Sequence, residues 1–480
     1  LNAVIPDHVA DAFSPPRSET PLMLDPVIEA LFGGLSHWDA EHFLFIAEHG
    51  YLYEHNFAFF PLFLSSCDSW QPLSCGLCVD FSTLHGRLIL AVVIGNSVLF
   101  ILSALALYRL SRLVLQDRKL AHVAALMYCL TPANVFMVAG YSETLFAVVT
   151  FAGLWLLETR FTLRACLLLG FATGARANGL VNAGFLLYLT LQWSLARARA
   201  LSKGAGGFQY RHYARELIHF AHTGAFYAAL VALPFLFVSV LWLPKHFVIR
   251  LQLKFLLCCL IWPGTKDTVW LMQHLQHQIG ASGGFQFCTR TYKMFIGMWG
   301  FLRYFQWKQI PNFIFAMPVA NLGFIASYMY IMANPVFCLY LGLGDSGKDR
   351  KMHGFCNPRV FVYIVHSSIL LLIGIFCMHV QVLTRFLASS SPVLYWISAH
   401  LLFQYEPLLQ DEKLFRPDQI KLQTDYKPCL TLAGMWGNNQ VVYLLMHWQT
   451  CSIYTRCIVG YFISYWFLGL ALHCNFLPWT

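Results

Sequence analysis

The stretch LILAVVIGNSVLFILSALAL, from Leu88 to Leu107, is twenty residues long and has no charged side chain. A helix of that length rises by about 30 Å, the thickness of bilayer hydrocarbon. Comparable apolar runs extend over Phe226–Leu243 and Val360–Met378. Of the 480 residues, 58% are hydrophobic and 11% are charged, whereas about 25% are charged in a soluble domain. The sequence therefore predicts an all-α polytopic membrane protein.

Basic residues lie in three short clusters between the apolar runs. They are Arg109/Arg112/Arg118/Lys119, Arg197/Arg199/Lys203/Arg211/Arg215 and Lys348/Arg350/Lys351/Arg359. The positive-inside rule predicts that all three clusters face the cytosol. The net charge of +9 does not indicate nucleic-acid binding, because basic and aromatic side chains do not interleave on one water-exposed face.

These clusters allow the apolar runs to be threaded across the membrane. Leu88–Leu107 and Leu120–Val138 form the first two crossings, and two short runs, Thr144–Leu157 and Leu163–Ala172, come next. The later crossings are Leu180–Trp193, Phe226–Leu243, Asn312–Met332, Val360–Met378 and Ile458–Leu472. This threading brings four segments together on the luminal face: residues 37–51, Gly140–Glu143, Gly174–Gly179 and His379–Arg385.

The segment HWDAEHFLFIAEHGY, from His37 to Tyr51, contains three carboxylates and three histidines. Hydrocarbon does not accommodate charges at that density, so the segment must lie in water or at a site that uses them. A helix here places Glu41 and Glu48 on one face beside Trp38 and Phe45, which is typical of an amphipathic helix at a membrane surface. Two other interpretations stay open. One is a metal site, and the other is a carboxylate that accepts a proton from a sugar hydroxyl while a lipid phosphate leaves the anomeric carbon.

Motifs for metals and nucleotides are weak or absent. Cys75 and Cys78 form a single CxxC with no second pair at zinc spacing, and a luminal disulfide that involves Cys67 is plausible. The chain has no HExxH, Walker loop or N-x-S/T sequon. Because Leu1 is not methionine and no complete apolar span precedes Pro6, we expect truncation at or inside a first transmembrane helix or signal anchor.

A series of motifs, ordered along the chain, resembles the PIG-V family of GPI mannosyltransferases in the GT-C superfamily. They are HWD at 37–39, EHNFAFFP at 54–61, TPANVF at 131–136, AGYSE at 139–143, ATGARANGL at 172–180, KQIPNF at 308–313, HVQVLTRF at 379–386 and HCNFLPWT at 473–480. No single motif is specific, but the ordered set is.

This resemblance implies one integral-membrane domain over residues 1–480 with a GT-C-type architecture and a luminal active-site face. We expect about 8–11 transmembrane or half-membrane helices, with residues 1–87 as a first luminal loop that carries the acidic catalytic segment. Two segments depart from the family. Leu62-Phe63-Leu64 replaces the usual Gly-Phe-Pro after Pro61, and residues 244–298, presumed luminal, have no convincing counterpart.

The activity implied by the resemblance is transfer of mannose from dolichol-phosphate-mannose to a GPI precursor that already carries one mannose. The new bond would be α-1,6 and the anomeric centre would be inverted, at the luminal face of the endoplasmic reticulum membrane. Because the donor brings its own leaving group, no cofactor or obligatory metal is expected. The expected partners are the donor lipid and the GPI precursor.

The resemblance also assigns candidate site residues. Asp39 matches the acid of the family's first loop and is the expected general base, with Glu41 as the second candidate. Arg176 and Arg385 lie at the predicted luminal boundary and are expected to bind the dolichyl phosphate. The alternative for both arginines is snorkelling to lipid headgroups.

Other polar residues of the motifs are expected to contact substrate. Glu143 is expected to bind acceptor hydroxyls or the glucosamine ammonium, and its alternative is a water-exposed acid at a helix N-terminus. Asn178 either contacts sugar or stabilises a turn. The remaining candidates are His37, Trp38, Glu48 and Asn56, and the alternative for His37, Trp38 and Asn56 is packing at the membrane interface.

Two other classes of function remain. One is a GT-C transferase that uses a lipid-linked sugar donor with another acceptor. The other is a non-enzymatic transporter, scramblase or inactive subunit. A transporter is expected to have pseudo-symmetric repeats with paired broken helices, and the sequence contains no such repeat.

Overall fold

The computed structural model describes residues 20–50, 81–204, 210–237, 304–343, 353–409 and 439–477, together with residues 13, 15 and 63. Regular structure in these ranges is helical throughout, which confirms the predicted all-α fold. In chain order the α-helices are α1 (Asp25–Phe32), α2 (Asp39–His49), α3 (Leu84–Leu115), α4 (Arg118–Cys129), α5 (Asn134–Val138), α6 (Glu143–Glu158), α7 (Thr162–Ala175), α8 (Ala183–Gly204), α9 (Tyr210–Phe237), α10 (Ile310–Ala333), α11 (Pro335–Leu339), α12 (Phe361–Phe376), α13 (Leu383–Ser390), α14 (Val393–Tyr405), α15 (Gln440–Met446) and α16 (Ile453–Cys474).

Within the described ranges, six helical segments are long and apolar enough to cross a membrane: Leu84–Leu115, Ala177–Gly204, Tyr210–Phe237, Trp307–Ala333, Pro358–Phe376 and Ile453–Cys474. Val380–Ser390 and Val393–Tyr405 form a further apolar pair, bent by 80°. Apolar side chains such as Val98, Ile101 and Leu105 on α3 are exposed in the isolated chain. In a membrane they would lie against lipid. The chain is therefore a multi-pass membrane protein.

Several predicted crossings differ from the structure in their bounds: α8 continues to Gly204, past the predicted run 180–193, and α9 begins at Tyr210, before the predicted run 226–243. Helix α3 contains the predicted run 88–107 but extends over 32 residues, about 48 Å, so it projects beyond the hydrocarbon. The predicted crossing Leu120–Val138 is wrong as a continuous helix, because the chain breaks between α4 and α5. Pro132 lies in this break, where it lacks an amide hydrogen and disfavours a helical Thr131.

The break between α4 and α5 is buried, and polar side chains form hydrogen bonds around it. The hydroxyls of Thr131 and Tyr395 lie 2.9 Å apart, and the Tyr395 hydroxyl also lies 2.9 Å from the carbonyl oxygen of Ala388, to which it can donate. On the next residue of α14, the Trp396 indole donates to Ser111 Oγ of α3 at 2.7 Å. These bonds fix the bent pair α13–α14 against the front half of the chain.

Helices α6 and α7 form an antiparallel hairpin that connects the two ends of the molecule. Helix α6 begins at Glu143 and ends at Glu158, Arg160 turns the chain with a φ of +69°, and α7 returns to Ala175. Residues from the basic clusters gather at the Glu158 end. Arg109 stacks on Trp155 at 5.4 Å, and Arg359 donates to the Leu113 carbonyl at 3.3 Å. The positive-inside rule therefore predicts that the Glu158 end faces the cytosol and that the Glu143 end lies on the opposite side of the membrane.

Several predictions fall on residues that the structure does not describe. They concern Asn56, the cysteines 67, 75 and 78, and the divergent segment 244–298, all of which lie outside the described residues. The division of the chain into a loop 1–87 and a segment 244–298 stays a prediction.

A glycine holds the turn between α7 and α8 close to the end of α7. A Cβ atom on Gly179 would lie 2.5 Å from the Thr173 amide nitrogen and 2.6 Å from its Cα, and backbone cannot move aside as a flexible side chain can. We expect Gly179→Ala to reduce the free energy of unfolding by about 1–3 kcal/mol. The measurement is thermal unfolding of the purified protein in detergent.

The matched control for this change is Gly184→Ala near the start of α8. A Cβ atom there meets no heavy atom within 4 Å, and alanine is the better helix former. Its unfolding midpoint is expected to equal or exceed that of the unmodified chain. Equal midpoints for the two variants would contradict the packing described for this turn.

Candidate active site

Asp39 is the first residue of α2, at the end of the molecule opposite to the basic clusters. Trp38, with a φ of +62°, turns the chain into the helix. Asp39 and Glu41 both lie in the first turn, where the helix dipole favours acids. Gly50, with a φ of +76°, ends the helix and donates its amide to the Ile46 carbonyl at 2.8 Å. The Asp39 side chain is 40% exposed.

The loop before α6 lies directly against the first turn of α2. A Cβ atom on Gly140 would lie 3.0 Å from the Cβ of Ala40, so only glycine permits this approach without a shift. The Asn96 side chain of α3 donates to the carbonyl oxygens of Ala139 and Tyr141, at 2.5 Å and 3.3 Å. The loop is thereby fixed on both sides, and it places the start of α6 beside Asp39.

Four charged side chains meet at this point and form an ion network. Arg385 Nη1 of α13 lies 3.1 Å from Asp39 Oδ2 and 3.8 Å from Glu143 Oε1. Arg176 is the residue directly after α7, and its Nη1 lies 2.6 Å from the same Glu143 oxygen. Glu143 has no exposed surface. The two acids and two arginines balance in charge, and this compensation matters most for Glu143, which water does not reach.

The predicted convergence of four segments is confirmed, because Asp39, Glu143, Arg176 and Arg385 come from the four segments that the threading brought together. Snorkelling is wrong for Arg385, whose side chain is only 11% exposed. Its guanidinium carbon lies 5.2 Å from the centre of the Phe136 ring and 5.5 Å from that of Tyr141. Cation–π contacts of this kind favour a buried guanidinium over one exposed to lipid headgroups.

A second network supports the first from behind. The Tyr141 hydroxyl lies 3.2 Å from His473 Nε2, and His473 Nδ1 lies 3.2 Å from the Gly34 carbonyl oxygen. A carbonyl only accepts, so Nδ1 carries the proton and Nε2 accepts from the tyrosine. Burial first, and then the nearby carboxylates of Asp39 and Glu143, raise the pKa of Tyr141 well above its usual value, although Arg385 acts in the opposite direction. Tyr141 is therefore a protonated donor, and it connects α16 to the loop beside Asp39.

The structure also places the smaller polar candidates. The Asn178 side chain donates to Ser390 Oγ at 2.9 Å, which connects the turn after Arg176 to the helix of Arg385. His37 stacks on Phe476 with ring centres 3.7 Å apart, and Trp38 lies at 5.8 Å from the same ring. Asn178 thus connects two segments of the network, His37 and Trp38 directly precede Asp39, and the contact of all three with sugar stays a prediction.

Helix α2 is not the amphipathic surface helix that the spacing of its acids suggested. Phe43, Leu44, Phe45 and Ile46 are all buried, because the helix packs against the protein instead of lying on lipid. Glu41 is buried as well and is less accessible than Asp39. Glu48 lies at the far end of α2, about 14 Å from Asp39, where its carboxylate is 2.5 Å from His85 Nδ1. The structure therefore does not bring Glu48 into the Asp39 site.

Glu143 lies at the N-terminus of α6, but it is fully buried. The alternative interpretation, a water-exposed acid at a helix N-terminus, is therefore wrong in its exposure. In this conformation its carboxylate orients the two arginines and has no surface with which to reach an acceptor hydroxyl.

Four further residues of the site, Tyr141, His473, Asn96 and Ser390, were not predicted from the sequence. Tyr141 and His473 stand in the motifs AGYSE and HCNFLPWT, so their position in a motif was the available signal. Among the described residues, no group of three or more His, Cys, Asp or Glu side chains is arranged to hold a metal ion.

Fold and site together define a multi-pass helical membrane protein with an accessible carboxylate and two arginines at one membrane boundary. The family model described as mannosyltransferase (PIG-V) matches residues 1–480. The chain belongs to this family of glycosyltransferases, as its motifs indicated.

Relatives along the whole length support this assignment. The human protein named GPI alpha-1,6-mannosyltransferase 2 is 43% identical over 502 aligned residues, which cover 100% of this chain and 94% of the relative. The Mus musculus protein of the same name is 41% identical with the same coverage. GPI mannosyltransferase 2 of Drosophila melanogaster is 31% identical over 83% of this chain and 86% of its own length.

The ion network predicts strong coupling between Glu143 and Arg176. Glu143→Gln leaves two arginines facing one carboxylate, and Arg176→Gln leaves the buried carboxylate with one fewer cation. We expect each change alone to cost about 3–5 kcal/mol of unfolding free energy. The double variant is expected to lose less than the sum of the two by about 1–3 kcal/mol. Unfolding of all three variants in detergent measures the cycle.

The control cycle uses Arg197 and Glu216, a more exposed pair whose charged atoms are 3.7 Å apart. Its coupling is expected to stay below about 1 kcal/mol. Additive effects of Glu143→Gln and Arg176→Gln, or a coupling no larger than that of the control pair, would show that the buried network does not hold these elements together.

Proposed function

We propose that the chain transfers mannose from dolichol-phosphate-mannose to a GPI precursor that carries one mannose, forming an α-1,6 bond with inversion. The names of its relatives support the acceptor and the linkage. The observation that carries the proposal is the position of Asp39. It is the partly exposed carboxylate of a network whose other carboxylate, Glu143, is fully buried. Of these two acids, Asp39 is the one that a substrate can reach.

In the proposed reaction the acceptor hydroxyl attacks the anomeric carbon of mannose from the face opposite to the phosphate. The bond between that carbon and the phosphate oxygen breaks, and its electron pair leaves with dolichyl phosphate. Asp39 takes the proton of the acceptor hydroxyl. A single displacement of this kind inverts a β-linked donor to an α-linked product and needs one base, without a covalent sugar–enzyme intermediate.

The two arginines are proposed to bind the phosphate of the donor and to stabilise the charge that grows on it as the bond breaks. Guanidinium groups suit this role because their donors match two phosphate oxygens at once. Arg385 also contacts Asp39, so the same side chain lies between the proposed base and the proposed phosphate site. Glu143 is proposed to position both guanidinium groups. With this positive charge supplied by the protein and the leaving group by the donor, we expect no metal cofactor.

The proposed side of the membrane is the lumen of the endoplasmic reticulum. Support comes from the distribution of charge: the contacts of Arg109, Arg199 and Arg359 lie at the Glu158 end of α6. The positive-inside rule assigns that end to the cytosol. The Asp39 end then faces the lumen.

Substitution of Asp39 tests the proposal. In cells that lack their own GPI mannosyltransferase 2, the unmodified chain is expected to restore GPI-anchored proteins to the surface. In their microsomes, Asp39→Asn is expected to lower mannose transfer by about 10²–10⁴-fold at equal expression, because the amide cannot accept the proton. The matched control is Glu29→Gln on α1, an exposed acid on the same side of the chain, which is expected to leave transfer unchanged.

Three results would count against the proposal. Full transfer by Asp39→Asn would exclude this residue as the base and direct attention to Glu41. A loss of transfer as large in Glu29→Gln would show that the effect of removing an acid on this side is not specific to Asp39. Failure of the unmodified, expressed chain to restore surface GPI-anchored proteins would contradict the proposed acceptor.

A further inference from the structure

A cavity of about 330 Å³ lies at the basic end of the molecule. It is bordered by the end of α6, the middle of α8 and the turn that begins α12, with Glu158, Trp193 and Arg359 among its lining residues. Glu143 and Glu158 are separated by fifteen residues of α6, or about 23 Å along the helix axis. The cavity is thus separate from the candidate active site.

The cavity has a positive lining. Arg160, Arg199 and Arg359 line it, against the single carboxylate of Glu158. That carboxylate accepts a hydrogen bond from the Tyr363 hydroxyl at 3.0 Å. Arg160 and Arg359 are exposed. Three arginines against one acid leave a charge excess that favours an anionic ligand.

The arginines are positioned by contacts of their own. Arg160 lies over the Trp193 ring, with its guanidinium carbon 3.8 Å from the ring centre. Arg359 uses one of its five donors on the Leu113 carbonyl. Arg359 also precedes α12, a helix of 16 residues whose positive N-terminal end adjoins the cavity. Arginine forks beside a helix N-terminus are a favourable environment for a phosphate group.

Exposed apolar residues beside the cavity indicate where it lies relative to the bilayer. Gly342 and Leu343 line it, and the segment just before them exposes Val336, Leu339 and Leu341. Such side chains are stable in contact with lipid and unfavourable in water. The cavity is therefore at the depth of the headgroups, where the phosphate of a lipid is available at high local concentration.

We propose that this cavity binds the phosphate-bearing headgroup of an anionic phospholipid in the leaflet on the basic side. Basic pockets between membrane helices on the cytosolic side are suited to such headgroups. The site goes beyond the proposed mannose transfer, and its occupancy is measurable without any transfer activity.

The test uses the purified 480-residue chain in detergent and native mass spectrometry. Dioleoyl phosphatidic acid is the probe, dioleoyl phosphatidylcholine is the zwitterionic comparison, and inorganic phosphate represents a soluble source. We expect phosphatidic acid to bind in preference to phosphatidylcholine. Removal of two basic groups with Arg160→Gln/Arg359→Gln is expected to weaken that binding roughly 25-fold, at about fivefold for each arginine.

Two further variants make the result specific. Arg118→Gln removes an exposed charge at the same end of the molecule outside the cavity lining, and it is expected to leave binding unchanged. Arg160→Lys/Arg359→Lys keeps the charge and is expected to retain most of the affinity. Unfolding midpoints close to that of the unmodified chain establish that each variant is folded.

Three outcomes would overturn the proposal. Equal binding of phosphatidylcholine and phosphatidic acid would exclude recognition of an anion. Equal loss in Arg118→Gln would show that general surface charge, and not the cavity, attracts the lipid. Displacement of phosphatidic acid by millimolar inorganic phosphate would show that the ligand is a soluble phosphate and not a lipid.

Discussion

The buried carboxylate of Glu143 determines how the helices around the candidate active site are arranged. A carboxylate with no exposed surface is unstable in a membrane protein unless cations compensate it. Arg176 and Arg385 provide that charge from two distant parts of the chain. Their ion pairs draw α6, the end of α7 and the bent pair α13–α14 to one point. Asp39 then balances the second arginine and attaches α2 to the same point.

The same constraint explains why a reactive carboxylate can stand at this boundary. The loop at Gly140 packs against the start of α2. Two hydrogen bonds, from His473 to the Gly34 carbonyl and from Tyr141 to His473, support that loop from the opposite side. Asp39 is consequently held at one position while its side chain stays partly exposed. A proton acceptor that is both fixed and accessible is what an inverting transfer requires. The basic end of the molecule has a separate cavity with three arginines and one carboxylate, whereas the acids and arginines at the Asp39 end are equal in number.

The sequence predicted those features that depend on composition and on order along the chain. The apolar run at 88–107 and the basic clusters were sufficient to predict a polytopic helical fold. Counting crossings between the clusters was sufficient to bring Asp39, Glu143, Arg176 and Arg385 together. The ordered motifs added the family. Each of these signals can be read from a short stretch of sequence or from the number and order of such stretches. None of them requires knowledge of side-chain contacts.

The features that the sequence did not predict depend on contacts between distant residues. Hydrophobicity alone does not distinguish an apolar face against lipid from one against protein, so α2 resembled a surface helix although Phe43–Ile46 are buried. Glu48 shares a segment with Asp39, but its partner is His85 on another helix. The buried state of Glu143 depends on arginines 33 and 242 residues further along the chain. The bend before α14 likewise depends on how Tyr395 and Trp396 pack.

A structure of the chain bound to dolichyl phosphate, the lipid product of the proposed reaction, would establish whether the two arginines form the phosphate site. We expect the phosphate to lie within hydrogen-bond distance of the Arg176 and Arg385 guanidinium groups, with Asp39 facing the adjacent space for the sugar. A phosphate bound away from both arginines, with the contact between Arg385 and Asp39 unchanged, would contradict it.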